Sequence, residues 1–436
     1  MANNMNRQTK KSIAILGGGI SGLYAAYRLQ KLGFTVTIFE RADELGGLSG
    51  SFKIGQIYLE KFYHHSFTTD KIVQRLIKEL DLDDKFYYKR LSTAILHNNQ
   101  TYPLNGAVDL LKLSPLSFLD RLRTGIVLAF LKKTKKWKQF SKEKANDWLP
   151  KWQGRKSYEL LWLPLFRSKF GKYWDQMSMA WFWARIYLRS EELGYIEGGF
   201  QILFKRLHEE ILKNHGGIIF QAPIDSVRPD TGTGRLEVSY NRSKLDFDFV
   251  LSTLPESTNK KIFPDLKADF LQKYSDHHHV GAQTLILLLD RRFLDHYWLN
   301  VNDQDFPFLV VVDQSYIADV SEYGGLYPVY FGNYLNYDDP RWTMSETELL
   351  KKFVPFIKKL RPDFSEKWIK EKHLFRTEAA QFVITTDYEK TLLPNKLPIK
   401  NCYAATLSQI FPAERSLNYS MSVVDNAIAQ IIEDMN

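Results

Sequence analysis

The chain has one cysteine, Cys402, among 436 residues. No internal disulfide and no cysteine-based metal cluster can be built from it, which suits a reducing compartment. Nowhere do about 18 apolar residues run together, so no segment reads as a membrane span. Met1 to Lys11 is polar and basic and leads straight into an apolar strand, without the hydrophobic stretch of a signal peptide. Internal repeats and low-complexity segments are missing too. The expectation is a cytoplasmic globular protein, either soluble or peripheral at the inner face of a membrane.

Positive charge and aromatic rings, by contrast, are plentiful. Lys and Arg number 59 against 50 Asp and Glu, a net charge of +9. That balance calls for an anionic partner such as a phosphate-bearing ligand or an anionic membrane surface. No nucleic-acid-binding motif accompanies the charge, so nucleic acid is set aside. Aromatic residues make up 14% of the chain, enough to line a roomy apolar site or to fill a large core. The length asks for two domains rather than a single core.

The sharpest signal lies near the start. Ser12 to Leu16 reads as a buried parallel strand and empties into Gly17-Gly18-Gly19-Ile20-Ser21-Gly22, followed by a helical stretch from Leu23 to Leu32. Gly17 allows the tight turn, Gly19 lets the backbone approach a pyrophosphate, and Gly22 lets helix and strand pack closely. The phosphates would rest on the amides at the helix start, around Ile20 and Ser21. Gly33 ends the helix, Phe34 to Phe39 reads as a second strand, and Glu40 follows where a carboxylate accepts ribose hydroxyls. The same acid disfavours a 2′-phosphate by charge repulsion, which argues against NADP.

Arg41-Ala42-Asp43-Glu44-Leu45-Gly46-Gly47 then follows directly on Glu40. This arrangement resembles the flavoprotein superfamily of amine oxidases, protoporphyrinogen oxidases, phytoene desaturases and UDP-galactopyranose mutases. In that superfamily the Gly-Gly pair brings backbone against the FAD diphosphate. Many amine-oxidase-type members carry Arg after the glycines, where this chain has Leu48. The resemblance extends through a second block, Gly194 to Pro255, and a third, Asn401 onward. It implies a Rossmann-like FAD-binding domain, α/β and discontinuous, from residues 10–67, 194–255 and 390–436. Inserted into it is an α+β substrate domain, built on an antiparallel sheet and helices, from residues 68–193 and 256–389. It also implies that Val227 touches the adenine, that Thr253 belongs to the return strand, and that Asn418, Tyr419 and Ser420 open a helix aimed at the flavin pyrimidine. That helix would stabilise the negative charge of the reduced ring.

Within the inserts, a hairpin turning at Asn98-Asn99 is expected, as are strands at Thr284–Leu289, Phe308–Val312, Tyr327–Phe331 and Ala380–Thr385. By resemblance, His64 and His65 fall near the isoalloxazine. Either could act as acid/base, orient the substrate, or simply pack against the ring. The run from Trp162 to Arg189 interleaves rings with cations, and Trp181, Arg185 and Arg189 recur at helical spacing. They can wall an apolar chain and grip a phosphate or carboxylate, or belong to an ordinary helix with snorkelling arginines. From Pro115 to Lys144 an apolar helix, with Phe118, Leu119, Leu122, Ile126, Ala129 and Phe130 on one face, runs into a lysine cluster. That suits either an anionic membrane surface or a solvated face. His277-His278-His279 is read as a loop rather than a metal site, because consecutive residues diverge.

The leading functional expectation is an FAD-dependent oxidoreductase. It would take hydride from a hydrophobic substrate, isoprenoid or phosphorylated, to flavin N5 and pass the electrons to an external acceptor. A redox-neutral sugar-nucleotide mutase similar to UDP-galactopyranose mutase is the alternative, and a non-catalytic FAD-fold escort protein a third.

Overall fold

The computed structural model describes residues 10–55, 57–274 and 277–435. Most of the polar N-terminal stretch lies outside them.

Short apolar segments that end in glycine or small polar residues become the strands of a five-stranded parallel sheet. Its order is Gly217–Ile219, Thr35–Phe39, Ser12–Leu16, Phe249–Ser252, Cys402–Ala404. Counted along the chain this is the 3-2-1-4-5 arrangement of a doubly wound fold. The order reverses between Ser12–Leu16 and Phe249–Ser252, and ligands of such folds sit beyond the carboxyl ends of the strands at that reversal. The helices Ile20–Lys31, Gln201–Lys213 and Leu417–Met435 share one cluster, with Leu23, Leu29, Leu203, Leu207, Ile211, Met421 and Val424 buried together.

A second, seven-stranded sheet draws on both long inserts. Its order is Ile369–Phe382, His279–Leu289, Tyr327–Leu335, Val310–Asp313, Trp298–Val301, Thr93–His97, Gln100–Pro103. The pairings are antiparallel except that Trp298–Val301 runs parallel to Thr93–His97, a departure from the all-antiparallel expectation. The hairpin turns at Asn98 and Asn99 with φ of 53° and 58°, left-handed values that asparagine tolerates. Helices dominate residues 68–193. In this region Phe166, Phe170, Trp181 and Phe182 are completely buried against one another.

The three consecutive histidines point apart. His277 lies 3.1 Å from Glu256 and 3.0 Å from Thr391, His278 stacks on Tyr173, and His279 leans on Phe382 at the start of its strand.

Candidate functional site

At the sheet's reversal the glycines play three different parts. Gly17 has φ +106°, and a Cβ there would lie 2.7 Å from Thr253 Oγ1. At Gly22 a Cβ would fall 1.9 Å from the Gly17 carbonyl oxygen, so only glycine lets the helix start so close to the strand. Gly19 meets no such obstacle. A Cβ on it would touch only the backbone of Gly46 and Gly47, at 3.9 Å. It heads the Ile20–Lys31 helix without any side-chain cap, so the helix itself leaves the amides of Ile20, Ser21 and Gly22 unused. Gly46 bridges to Gly19 and donates its N–H to the Gly18 carbonyl at 3.0 Å. The outcome is a trough of bare backbone against a helix N-terminus, which is what a diphosphate needs.

Glu40 is buried beside this trough. Its Oε2 accepts the Gly18 N–H at 2.6 Å and its Oε1 the Ala42 N–H at 2.8 Å. Each oxygen keeps a second lone pair for a ribose hydroxyl. Arg41 is exposed, and Leu48 is half-buried on the single turn Gly47–Ser49. Thr253 donates its hydroxyl to the Leu16 carbonyl at 2.8 Å, lacing the two central strands together.

The Val227 side chain is fully buried opposite Val238, in a cluster with Phe39 and Leu236, so what Val227 itself can offer an adenine is its backbone. Half-buried Ile224 at the start of the same strand is better placed. It follows Ala222, whose N–H donates to the Glu40 carbonyl at 2.9 Å.

Ser416 opens the C-terminal helix, accepting the Tyr419 N–H on Oγ at 3.2 Å and the Ser420 N–H on its carbonyl at 3.0 Å. Asn418 is committed elsewhere in the protein. Its Oδ1 accepts the Ile72 N–H at 2.9 Å, an amide in the first turn of the Lys71–Glu79 helix. Tyr419 is half-buried with its phenol pushed up to about 12 by burial, and Ser420 is buried. What this segment can offer a flavin is its dipole and backbone rather than the Asn418 side chain.

His64 and His65 sit together but differ. The His64 Nδ1 lies 2.5 Å from the Phe62 carbonyl and so carries the proton, which leaves Nε2 to accept from Ser49 Oγ at 3.3 Å. Burial lowers its pKa to about 4. His65 is lowered further, to about 3, by burial and then by Arg189 and His64. Both rings are therefore neutral near pH 7. The His65 Nδ1 is buried without a hydrogen-bond partner, within a wall of Phe67, Tyr297 and Trp298.

Next to these rings is an ionic cluster that sequence reading found only in part. Arg185 and Lys169 both bind Glu414, at 2.9 Å and 2.8 Å. Burial pushes the Glu414 carboxyl up, but Arg185, Lys169 and Arg189 reverse this and hold it well below the usual carboxylate range. Arg189 lies over the Phe67 ring and, among the described residues, has no carboxylate within ion-pair distance. Burial and then Arg185 lower it to about 10, so it stays charged. Arg415 donates to the Tyr334 hydroxyl at 2.6 Å, while its Nε is buried without a partner. Two expectations change here. The anion gripped by Arg185 is a carboxylate of this chain, and Trp181 is completely buried core rather than an open wall. Lys169 belongs to the run of rings and cations singled out in the sequence, whereas Glu414, Arg415 and Tyr334 were missed, and the one hint was the Glu414-Arg415 pair just before the last helix.

The backbone trough, the unused helix amides and the unpartnered polar atoms of His65 and Arg415 fit a bound dinucleotide with a ring system beside the histidines. A family model described as flavin containing amine oxidoreductase matches residues 20–405. The chain is 30% identical over 115 residues to amine oxidase [flavin-containing] B of Sus scrofa, covering 26% of this chain and 22% of the relative. It is 28% identical over 139 residues to the mitochondrial protoporphyrinogen oxidase of Nicotiana tabacum, covering 31% and 27%. The aligned stretch thus spans about a quarter of each curated relative. Solved structures match over nearly the full length. A reduced UDP-galactopyranose mutase superposes with TM-score 0.76 at 13% identity, covering 97% of this chain and 96% of that one. An oxidoreductase from Methanosarcina mazei gives 0.74 at 16%, covering 96% and 100%, and a putrescine oxidase gives 0.72 at 14%, covering 97% and 99%. At these identities the structures share the fold, whereas the family model spans most of the chain: it belongs to the flavin containing amine oxidoreductases, and its cofactor is FAD.

Proposed function

We propose that this protein is an FAD-dependent oxidoreductase acting on an apolar, isoprenoid or other lipid-like substrate that carries an anionic end group. The observation behind this reading is the excess of cations beside a wall of rings. Lys169, Arg185 and Arg189 surround a single carboxylate, Glu414, and Arg189 is left without an acid of its own. Unpaired buried charge is costly, so a ligand carrying phosphate or carboxylate relieves it.

When bound, FAD supplies a hydride acceptor at N5, and an external acceptor takes the electrons onward. The protein's share is to bind and orient. Arg189 holds the anionic end with the fork that a guanidinium presents to phosphate or carboxylate. Phe67, Tyr297 and Trp298 keep water from the apolar part. His65, neutral and with a free Nδ1, is the group that can hold or pass a proton there. His64 has both ring nitrogens engaged by Phe62 and Ser49 and serves to position its neighbour.

The test is anaerobic bleaching of the flavin by a panel of prenyl phosphates, fatty acids, amines and sugar nucleotides. Arg189→Ala should keep the flavin spectrum and slow bleaching by the true substrate, with Arg189→Lys recovering part of the rate. Equal bleaching rates in wild type and Arg189→Ala would remove Arg189 from the site.

A redox-neutral mutase reaction is the second reading. The likeness to the UDP-galactopyranose mutase fold favours it, as do cations that suit a diphosphate. Turnover of a sugar nucleotide without consumption of an electron acceptor would establish it in place of the first.

A further inference from the structure

Thirteen large hydrophobic side chains stand exposed among the described residues, and seven of them fall between Val108 and Phe130. Val108 and Leu111 are 64% and 46% exposed on the Ala107–Lys112 helix. Phe118, Leu119, Leu122, Ile126 and Phe130 are 63%, 75%, 44%, 62% and 48% exposed on the Phe118–Lys133 helix. The two helices lie side by side, with Leu110 packed near Gly125. On the other side of the longer helix, Thr124, Val127 and Leu131 are buried. A helix apolar on both faces is expected inside a core, and here one face is bare.

We propose that this face docks on an anionic lipid bilayer, with the Phe118–Lys133 helix lying in the plane of the interface. Charge selects the occupant. The apolar row runs into Lys133, Lys135, Lys136 and Lys138, all exposed, while the two acids of the segment are occupied locally, Asp109 by Asn105 and Asp120 by Ser117. Apolar side chains that enter the acyl boundary beside lysines that reach headgroups are the makings of a surface-bound helix. A second copy would bring the same lysines against an equally positive molecule. Nor can the segment cross the membrane, since no helix among the described residues is long and apolar enough to do so.

Lys132 is not one of the headgroup lysines, contrary to the sequence expectation. Its ammonium donates to the carbonyls of Ile186 and Tyr187, at 3.2 Å and 3.1 Å, and to that of Arg189. Trp183 adds a bond from its indole N–H to the Thr134 carbonyl at 2.9 Å. The docking helix is thereby fastened to the end of the Met179–Tyr187 helix, which carries Arg185 and leads to Arg189. The site lies one helix layer beneath the bilayer face. The docking rests on the patch itself and not on the substrate reading.

The test is co-sedimentation of the flavin-loaded full chain with vesicles of phosphatidylcholine alone or mixed with phosphatidylglycerol. Binding is expected to the mixed vesicles, falling as salt rises. Phe118→Ser/Leu119→Ser/Ile126→Ser should lower partitioning roughly tenfold or more, and Lys133→Gln/Lys135→Gln/Lys136→Gln/Lys138→Gln by a similar factor. Unchanged flavin absorbance and melting temperature in these surface variants keep the comparison clean. Lys351→Gln/Lys358→Gln, exposed on the Glu346–Leu360 helix, should bind like wild type. The proposal is overturned if wild type stays in the supernatant at low salt, or if the distant pair weakens binding as much as the local lysines. It is equally overturned if wild type sediments as a dimer that the serine variant dissolves.

Discussion

One guanidinium nitrogen of Arg185, Nη1, lies 2.9 Å from both carboxylate oxygens of Glu414, across 229 positions of sequence. Lys169 reaches the same carboxylate from a different helix. The pair joins the Met179–Tyr187 helix to the loop ahead of the C-terminal helix.

Glu414→Gln should therefore destabilise the protein by about 3–5 kcal/mol, because it leaves Lys169 and Arg185 without the carboxylate both of them bind. The Glu414 carboxyl is held below its unfolded value, so its contribution is complete above the ordinary carboxylate range and is lost as pH falls toward the folded value. Urea unfolding at pH 7 measures the loss; a shift under about 1 kcal/mol would mean the pair does no more than a surface ion pair.

The two histidines predict acid sensitivity at a milder pH. With folded values near 4 and 3, His64 and His65 stay neutral while the unfolded chain takes up protons below about 6.5. The unfolded state then binds more protons, so stability falls as pH drops through this window, by up to about 1.4 kcal/mol per pH unit for each ring. His65→Asn should flatten that slope between pH 6.5 and 4. A parallel pH profile in the variant would show that the ring is not buried as described.

Gly19 and Gly22 should fail differently. A side chain on Gly22 collides with the Gly17 carbonyl, so Gly22→Val should lower the melting temperature as well as empty the site. Gly19 has room within the protein, so Gly19→Val should stay folded yet emerge colourless. Glu40→Arg should empty the site as well and lower the melting temperature as Gly22→Val does, because a guanidinium at this buried position cannot accept the Gly18 and Ala42 N–H bonds or the ribose hydroxyls. Absorbance at 280 and about 450 nm, read beside a thermal melt, separates the cases; a yellow Gly19→Val protein with full flavin content would contradict the placement of the diphosphate.

The flavin should be held without a covalent bond. Cys402 is the chain's one thiol, fully buried in the edge strand of the parallel sheet, and burial pushes it up, away from thiolate. Acid precipitation should leave the colour in the supernatant. A yellow pellet would count against this.

The dinucleotide half of the molecule was legible because its signals are local. Ser12–Leu16, the glycines and Glu40 lie within thirty residues and constrain one another through a single turn. The long strand Ile369–Phe382 was read only at its end, because Lys370, Glu371, Lys372 and His373 break any apolar alternation where it runs half-exposed. The Trp298–Val301 strand is four residues long and is held by its neighbours rather than by its own pattern. The ionic cluster was harder still. Lys169, Arg185 and Glu414 show no pattern along the chain, since only tertiary folding makes them neighbours. Val227 shows a different limit: the sequence marks the strand, but which of its residues turn their side chains inward is set by the pairing with Leu236–Tyr240.

The position of Cys402–Ala404 as the outer strand next to Phe249–Ser252 has a consequence for biosynthesis. The nucleotide half cannot be finished until a ribosome has delivered more than four hundred residues. At about 5–20 residues per second that takes on the order of 20–80 s. During that interval the outer edge of Phe249–Ser252, one strand away from Ser12–Leu16 and its glycines, is uncovered and open to chaperones and to other nascent chains. The Leu417–Met435 helix, which packs on the Ile20–Lys31 helix, emerges later still, so the first and the last elements of this half meet only once everything between them has been made.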